Sequence, residues 1–82
     1  MRFRVTPDEK YYEPTEARPI LNLSDTERGH EVTLQFKVAT TVDSSRGNIR
    51  LSGLVDMETE PNHILCLVYD GTTWHETSRV VK

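Results

Sequence analysis

The chain has 82 residues, a net charge of −3 from 10 basic and 13 acidic side chains, and one cysteine. That length holds at most one small domain, a lone thiol excludes an internal disulfide framework, and the even spread of both charge signs leaves no basic cluster to track phosphates. No apolar run reaches membrane-spanning length and no signal-peptide core follows Met1-Arg2-Phe3-Arg4, so a soluble protein assembled in a reducing cytoplasm is expected.

Arg2 to Val5 alternates charged and apolar residues, which predicts a short edge strand with Phe3 and Val5 on one face. Thr6-Pro7-Asp8-Glu9 carries a helix-start signature, with Thr6 as N-cap, Pro7 as first helical residue and Glu9 as capping-box partner. Pro14 limits that helix to a short turn, and Pro14 to Pro19 reads as an extended linker. Residues 1–19 are therefore expected as an attachment arm, with Phe3, Val5, Tyr11 and Tyr12 as its contact residues. Residues 20–82 are expected as the β-module.

From Ile20 onward the pattern is β throughout. Ile20 to Leu23 is a short apolar segment, stopped by the polar group Ser24 to His30. Glu31 to Ala39 is the cleanest strand, with Val32, Leu34, Phe36 and Val38 facing one way and Thr33, Gln35 and Lys37 the other. Asp43 to Asn48 is a turn by composition. Ile49 to Leu51 is a strand, Gly53 marks a bend, and Leu54, Val55 and Met57 continue it weakly. After a turn at Glu58 to Asn62, Ile64 to Tyr69 forms an apolar run. Asp70-Gly71 favours a tight turn, and Thr72 to Ser78 returns around Trp74 as the second arm of a hairpin. The strand centres Leu34, Leu51 and Leu67 are nearly equally spaced. Such spacing fits stacked β-rungs and fits a plain antiparallel meander equally well.

Few residues suggest chemistry. His30, His63 and His75 lack the short spacing of a zinc motif and read as surface residues. Cys66, between two leucines, reads as a buried inert thiol. Asp56, Asp70 and Glu76 sit beside turns, and so small a chain cannot build the deep groove that a carboxylate-pair glycosidase needs. No enzyme activity, cofactor or metal is expected. Trp74 reads as the aromatic anchor of the hairpin, or alternatively as a sugar-stacking platform together with Tyr69 or Tyr12. Arg79 is placed to pair with Glu76 or with an acidic group on a neighbouring subunit, which makes Arg79 and Glu76 candidate inter-subunit residues.

Three segments in order carry a resemblance: Gly29-His30-Glu31-Val32-Thr33-Leu34, Gly47-Asn48-Ile49-Arg50-Leu51, and Leu65 through Arg79 with its core Leu67-Val68-Tyr69-Asp70-Gly71-Thr72-Thr73-Trp74. They resemble the small β-module that closes bacteriophage tail fibres, tailspikes and related virion appendage proteins. In that module a G-x-x-(V/I)-T-L strand, a G-N-I-x-L strand and a terminal L-x-L-(V/I)-Y-D-G-T-x-W-x-E-x-S-R hairpin recur. The likeness covers roughly Ile20 to Arg79. It implies an all-β fold, either a small β-sandwich or a stacked-rung, β-helix-like module, commonly trimeric. It also implies a non-enzymatic structural role in the virion, as a capsid decoration, head-fibre or tail-fibre component. The implied partners are further copies of itself and a major capsid or tail protein. Because only a short arm precedes the module, a stand-alone head-fibre or decoration protein is favoured. Val80-Val81 runs past the usual end as an apolar pair suited to a neighbour. The alternatives are a carbohydrate- or receptor-binding tip that meets a cell-surface glycan, and a small regulator that binds a host protein through a strand edge.

Overall fold

The structure, a computed structural model, describes residues 2–81; Met1 and Lys82 lie outside it. Among the described residues nine strands follow in order: β1 (Arg2–Phe3), β2 (Tyr11–Tyr12), β3 (Asn22–Leu23), β4 (Glu31–Gln35), β5 (Thr41–Val42), β6 (Ile49–Arg50), β7 (Met57–Glu58), β8 (Ile64–Tyr69) and β9 (Trp74–Val80). A 3₁₀ turn, Ser52–Leu54, interrupts them between β6 and β7. The expectation of an all-β fold holds.

Five strands form one mixed sheet in the order β2-β4-β8-β9-β6. Its centre is antiparallel, β4 against β8 and β8 against β9, while β2 joins β4 and β6 joins β9 in parallel. Period-two patterning explains which face is inside. Val32 and Leu34 of β4 and Leu65, Leu67 and Tyr69 of β8 are buried, and the residues between them are not. Two smaller pairs, parallel β1–β3 and antiparallel β5–β7, are joined through an Ile20–Val42 bridge. They send Ile20, Leu23, Val42 and Met57 into the same core cluster as Phe36, Ile49 and Trp74. Each such aliphatic side chain contributes about 1.5–3 kcal/mol on burial.

The N-terminal segment differs from the arm expected of it. The radius of gyration is 11.2 Å, against about 11.7 Å for a compact chain of this length, so no long segment projects from the body. Arg2–Phe3 pairs with Asn22–Leu23, and Tyr11–Tyr12 extends the main sheet beside β4. The alternation of Arg2 to Val5 is real, but its apolar face points into the protein. Val5 is a core residue, and Phe3 and Tyr12 pack on the core with their rings edge to face at 5.6 Å. Of the four arm residues, only Tyr11 is exposed, at 50%.

The helix signature at Thr6 yields a turn instead, closed by the Glu9 N–H donating to the Thr6 carbonyl at 3.3 Å. The Tyr12 hydroxyl explains why the helix does not form. It accepts from the Thr6 N–H at 2.9 Å, the donor that a capping-box Glu9 side chain would have taken, and donates to the Glu9 carbonyl at 3.1 Å, the acceptor that a helix would have offered to the Glu13 N–H.

The register within the chain bears on the spacing of the strand centres. Glu31–Gln35 runs antiparallel to Ile64–Tyr69, residue against residue from Glu31↔Val68 to Gln35↔Ile64. The units around Leu34 and Leu67 therefore run in opposite directions, whereas Leu51 follows β6, which lies on the far side of β9.

Candidate functional site

The closing hairpin is built around Asp70. Tyr69 faces Trp74 across it, and four residues, Asp70 to Thr73, make the connection. The Asp70 N–H donates to the Thr73 carbonyl at 3.0 Å. Its Oδ1 accepts from the Thr72 and Thr73 N–H groups at 2.9 and 2.7 Å and from the Thr72 hydroxyl at 3.1 Å. Oδ2 lies 2.7 Å from Nε2 of His75. These contacts, the two backbone N–H groups first, hold the Asp70 carboxyl well below the usual carboxylate range. Gly71 has a φ of +106°, which the turn needs and which side chains rarely adopt. Asp70 is thus occupied as a turn cap.

Trp74 is fully buried, with Tyr69 tilted against it at 4.9 Å between ring centroids and the His30 ring edge-on at 6.2 Å. Tyr69 is buried as well, and its hydroxyl donates to Asp25 at 2.9 Å. Burial, and then Asp25, push its phenol above the ordinary tyrosine range. Neither ring has a face to offer a sugar. Of the aromatic trio expected at a glycan platform, Tyr12 is half-buried and spent on the N-terminal turn. The anchor reading of Trp74 is the one that fits its position.

Arg79 and Glu76 pair within one chain, through Nε at 2.6 Å and Nη2 at 2.7 Å. Glu76 Oε1 also accepts from the Ser52 N–H at 2.8 Å. Arg79 and then Ser52 favour the carboxylate, and Glu76 is lowered accordingly. Both partners of the expected inter-subunit contact are engaged internally. A register shift between Cys66 and Leu67 leaves Thr77 as an extra residue on β9, a bulge that re-aims the strand between the two members of this pair.

The Gly47-Asn48 segment is equally committed. A Cβ on Gly47 would lie 1.8 Å from the Leu21 carbonyl oxygen, so only glycine fits. Asn48 bridges to the backbone of Leu23, and its own N–H donates to the Asn22 side chain at 3.0 Å.

The remaining polar residues complete the picture. Asp43 is buried and caps the next turn, accepting from the N–H groups of Arg46 and Ser45 at 2.8 and 3.0 Å and from Arg46 Nε at 2.7 Å. Arg46 and Ser45 lower it to about 2. His63 is buried, where a surface residue was expected, and its Nδ1 accepts from the Glu60 N–H at 3.3 Å. Nothing in its sequence neighbourhood marks that turn-closing role. Cys66 is half-buried on the outer face of the sheet, its sulfur 3.7 Å from the Thr33 hydroxyl. It lines an open depression of about 630 Å³ with Lys10, Arg28, Glu31, Thr33 and Ser78, where both charge signs are present. Among the described residues, no group of three or more His, Cys, Asp or Glu is arranged to hold a metal ion.

No family model, curated protein or solved structure matches this chain. Its functional reading therefore rests on its own residues and on the resemblance they carry.

Proposed function

We propose that this chain is a non-enzymatic structural protein of a viral particle, of the capsid-decoration, head-fibre or tail-fibre kind, and that it works as an oligomer of its own copies. The trimer is the state that the resemblance implies. One observation carries the reading: the residues that make the resemblance are spent on architecture. Gly47 allows a close backbone approach, Asn48 bridges two segments, Asp70 caps the closing turn, Trp74 anchors the core and Glu76 clamps Arg79. A motif whose members hold a fold together marks a building module, whereas a catalytic motif would present its polar groups to a ligand. The architecture under this reading is a small β-sandwich, with β1–β3 and β5–β7 closing the inner face of the five-stranded sheet. The antiparallel course of β4 against β8 favours it over stacked rungs.

The test is peptide mass spectrometry of purified virions from cultures that express the chain, with copy number per particle. Stoichiometric presence supports the proposal, and a few copies or many then separate a tail tip from a shell protein. Expression without incorporation into particles defeats it.

A further inference from the structure

Residues 2–14 and the rest of the fold meet as two fitted parts. Arg2–Phe3 lies along Asn22–Leu23, and Tyr11–Tyr12 along Thr33 and Leu34, both in parallel. The Ser24 N–H donates to the Phe3 carbonyl at 3.0 Å, and the Thr33 N–H to the Lys10 carbonyl at 2.7 Å. In return the Val5 N–H donates to the Ser24 hydroxyl oxygen at 2.6 Å, and Lys37 Nζ stands 3.5 Å from Glu13 Oε2. Val5 belongs to the core, with Phe3 and Tyr12 packed on it. An empty seat would return that apolar surface to water at a cost of about 25 cal/mol per Å². The seat therefore needs an occupant, and its register and polar contacts select this chain's own sequence.

The linker is built differently. All of Thr15 to Pro19 is exposed. Among the described residues, Thr15 to Arg18 makes no hydrogen bond or ion pair with the rest of the chain, and its ion pair, Arg18 to Glu16 at 3.6 Å, lies inside the linker. Pro14 and Pro19 bias the residues before them toward extended backbone. From Pro14 to Ile20 such a chain reaches up to about 20 Å, close to the 22 Å shortest dimension of the molecule. That length carries the segment across to an abutting copy.

Whose segment fills the seat is thus a matter of the linker's path. Exchange keeps every contact between segment and seat and changes only the stretch that joins them. A short linker holds its own segment at an effective concentration of order millimolar, so exchange is populated where copies are crowded to that level, as in an assembly. Passing the segment onward is a heterologous contact, segment on one side and seat on the other, and it closes into a ring of three as well as a pair.

We infer that residues 2–14 are exchanged between copies of this chain, each segment filling the seat on β3 and β4 of the next copy. The inference rests on the oligomeric reading above and names the contact that serves it. The Glu13–Lys37 pair allows a test on the wild type. Light and heavy-isotope chains are unfolded together, refolded across a micromolar to near-millimolar series and separated by size, with sedimentation velocity giving the state of association. A carbodiimide then couples Glu13 to Lys37 without a spacer, and mass spectrometry reads whether the joined peptides carry one label or both. The expected result is an oligomer whose Glu13–Lys37 products include mixed labels, and a monomer whose products do not. An oligomer with single-label products alone overturns the exchange and leaves the oligomeric reading standing. A protein that stays monomeric throughout overturns both. If the carbodiimide does not couple the pair, the variant Y11C/T33C/C66S decides, because positions 11 and 33 are neighbours across β2 and β4 at a spacing a disulfide can bridge. Its oxidised oligomer should run as covalently joined chains on a denaturing gel, and disulfides confined within single chains overturn the exchange.

Discussion

Asn48 serves Leu23 as a neighbouring strand would. The Leu23 N–H donates to Asn48 Oδ1 at 2.9 Å, and Asn48 Nδ2 donates to the Leu23 carbonyl at 2.7 Å. One side-chain amide thus satisfies both backbone groups of a fully buried residue, on the flank where β3 has no strand partner among the described residues. Because an orphaned buried backbone group costs about 1–3 kcal/mol, Asn48→Ala is expected to destabilise the fold by about 2–4 kcal/mol. Asn48→Asp keeps an acceptor for the N–H but sets a carboxylate against the carbonyl, so it should recover little. Chemical denaturation of the two variants checks this, and an Asp variant as stable as wild type would show that the amide donor is idle.

Gly47, one residue earlier, admits no side chain. With a Cβ 1.8 Å from the Leu21 oxygen and 2.6 Å from its carbonyl carbon, Gly47→Ala must displace backbone, which is not the flexible end of a side chain that can swing away. The expected outcome is loss of the cooperative melt, or a fall in Tm beyond 15 °C, since each kcal/mol is worth about 4–8 °C in a domain of this size. Gly29→Ala is the matched control. It meets no atom within 4 Å and suffers only from its φ of +89°, so its cost should be smaller.

The contrast between these positions shows what the sequence disclosed. The interior of the fold was open to reading, because alternation in Val32-Thr33-Leu34-Gln35 and the run Ile64 to Tyr69 translate directly into faces of strands. Asp70-Gly71 marked its turn by chemistry that is local. The N-terminal segment misled for the opposite reason. Its helix signature is local, but the Tyr12 hydroxyl that overrides it and the β3 and β4 partners that recruit it are contacts made only after folding. The buried state of His63 and the bridging role of Asn48 are likewise properties of distant backbone. The exposed apolar residues were half legible: Val80-Val81 stood out as an apolar pair, whereas Leu54 and Val55 read as the tail of a strand and are exposed beside the positive φ of Gly53 and Leu54.

Trp74 offers a test of anchor against platform. Its ring is fully buried, and its indole nitrogen has no hydrogen-bond partner among the described residues. Replacing it with phenylalanine therefore sacrifices contact area but no hydrogen bond, and relieves a desolvated N–H. Trp74→Phe is expected to cost about 1–2 kcal/mol by lost apolar area, and Trp74→Ala about 3–5 kcal/mol through the cavity it leaves. In the native protein the indole fluorescence should be blue-shifted and resist acrylamide. Efficient quenching of folded protein would place the ring at the surface and return the sugar-stacking role to consideration.

Acid should weaken this fold through its turn caps. Asp43 is lowered to about 2, first by the Arg46 and Ser45 N–H groups and then by the Arg46 guanidinium, and Asp70 and Glu76 are lowered in the same direction. A carboxyl whose folded pKa lies below its unfolded value of about 4 stabilises the fold fully above that value, and the contribution drains away as pH falls through the folded one. Melting temperature should thus hold near neutrality and decline between about pH 4 and pH 2. Asp43→Asn isolates one share of the slope, because the amide oxygen still accepts the Ser45 and Arg46 N–H bonds while the charge facing Arg46 is gone. The variant should melt below wild type at pH 7 and converge on it toward pH 2. Parallel curves, separated by a constant offset down to pH 2, would mean that Asp43 matters as a hydrogen-bond acceptor and that its ionisation is not linked to folding.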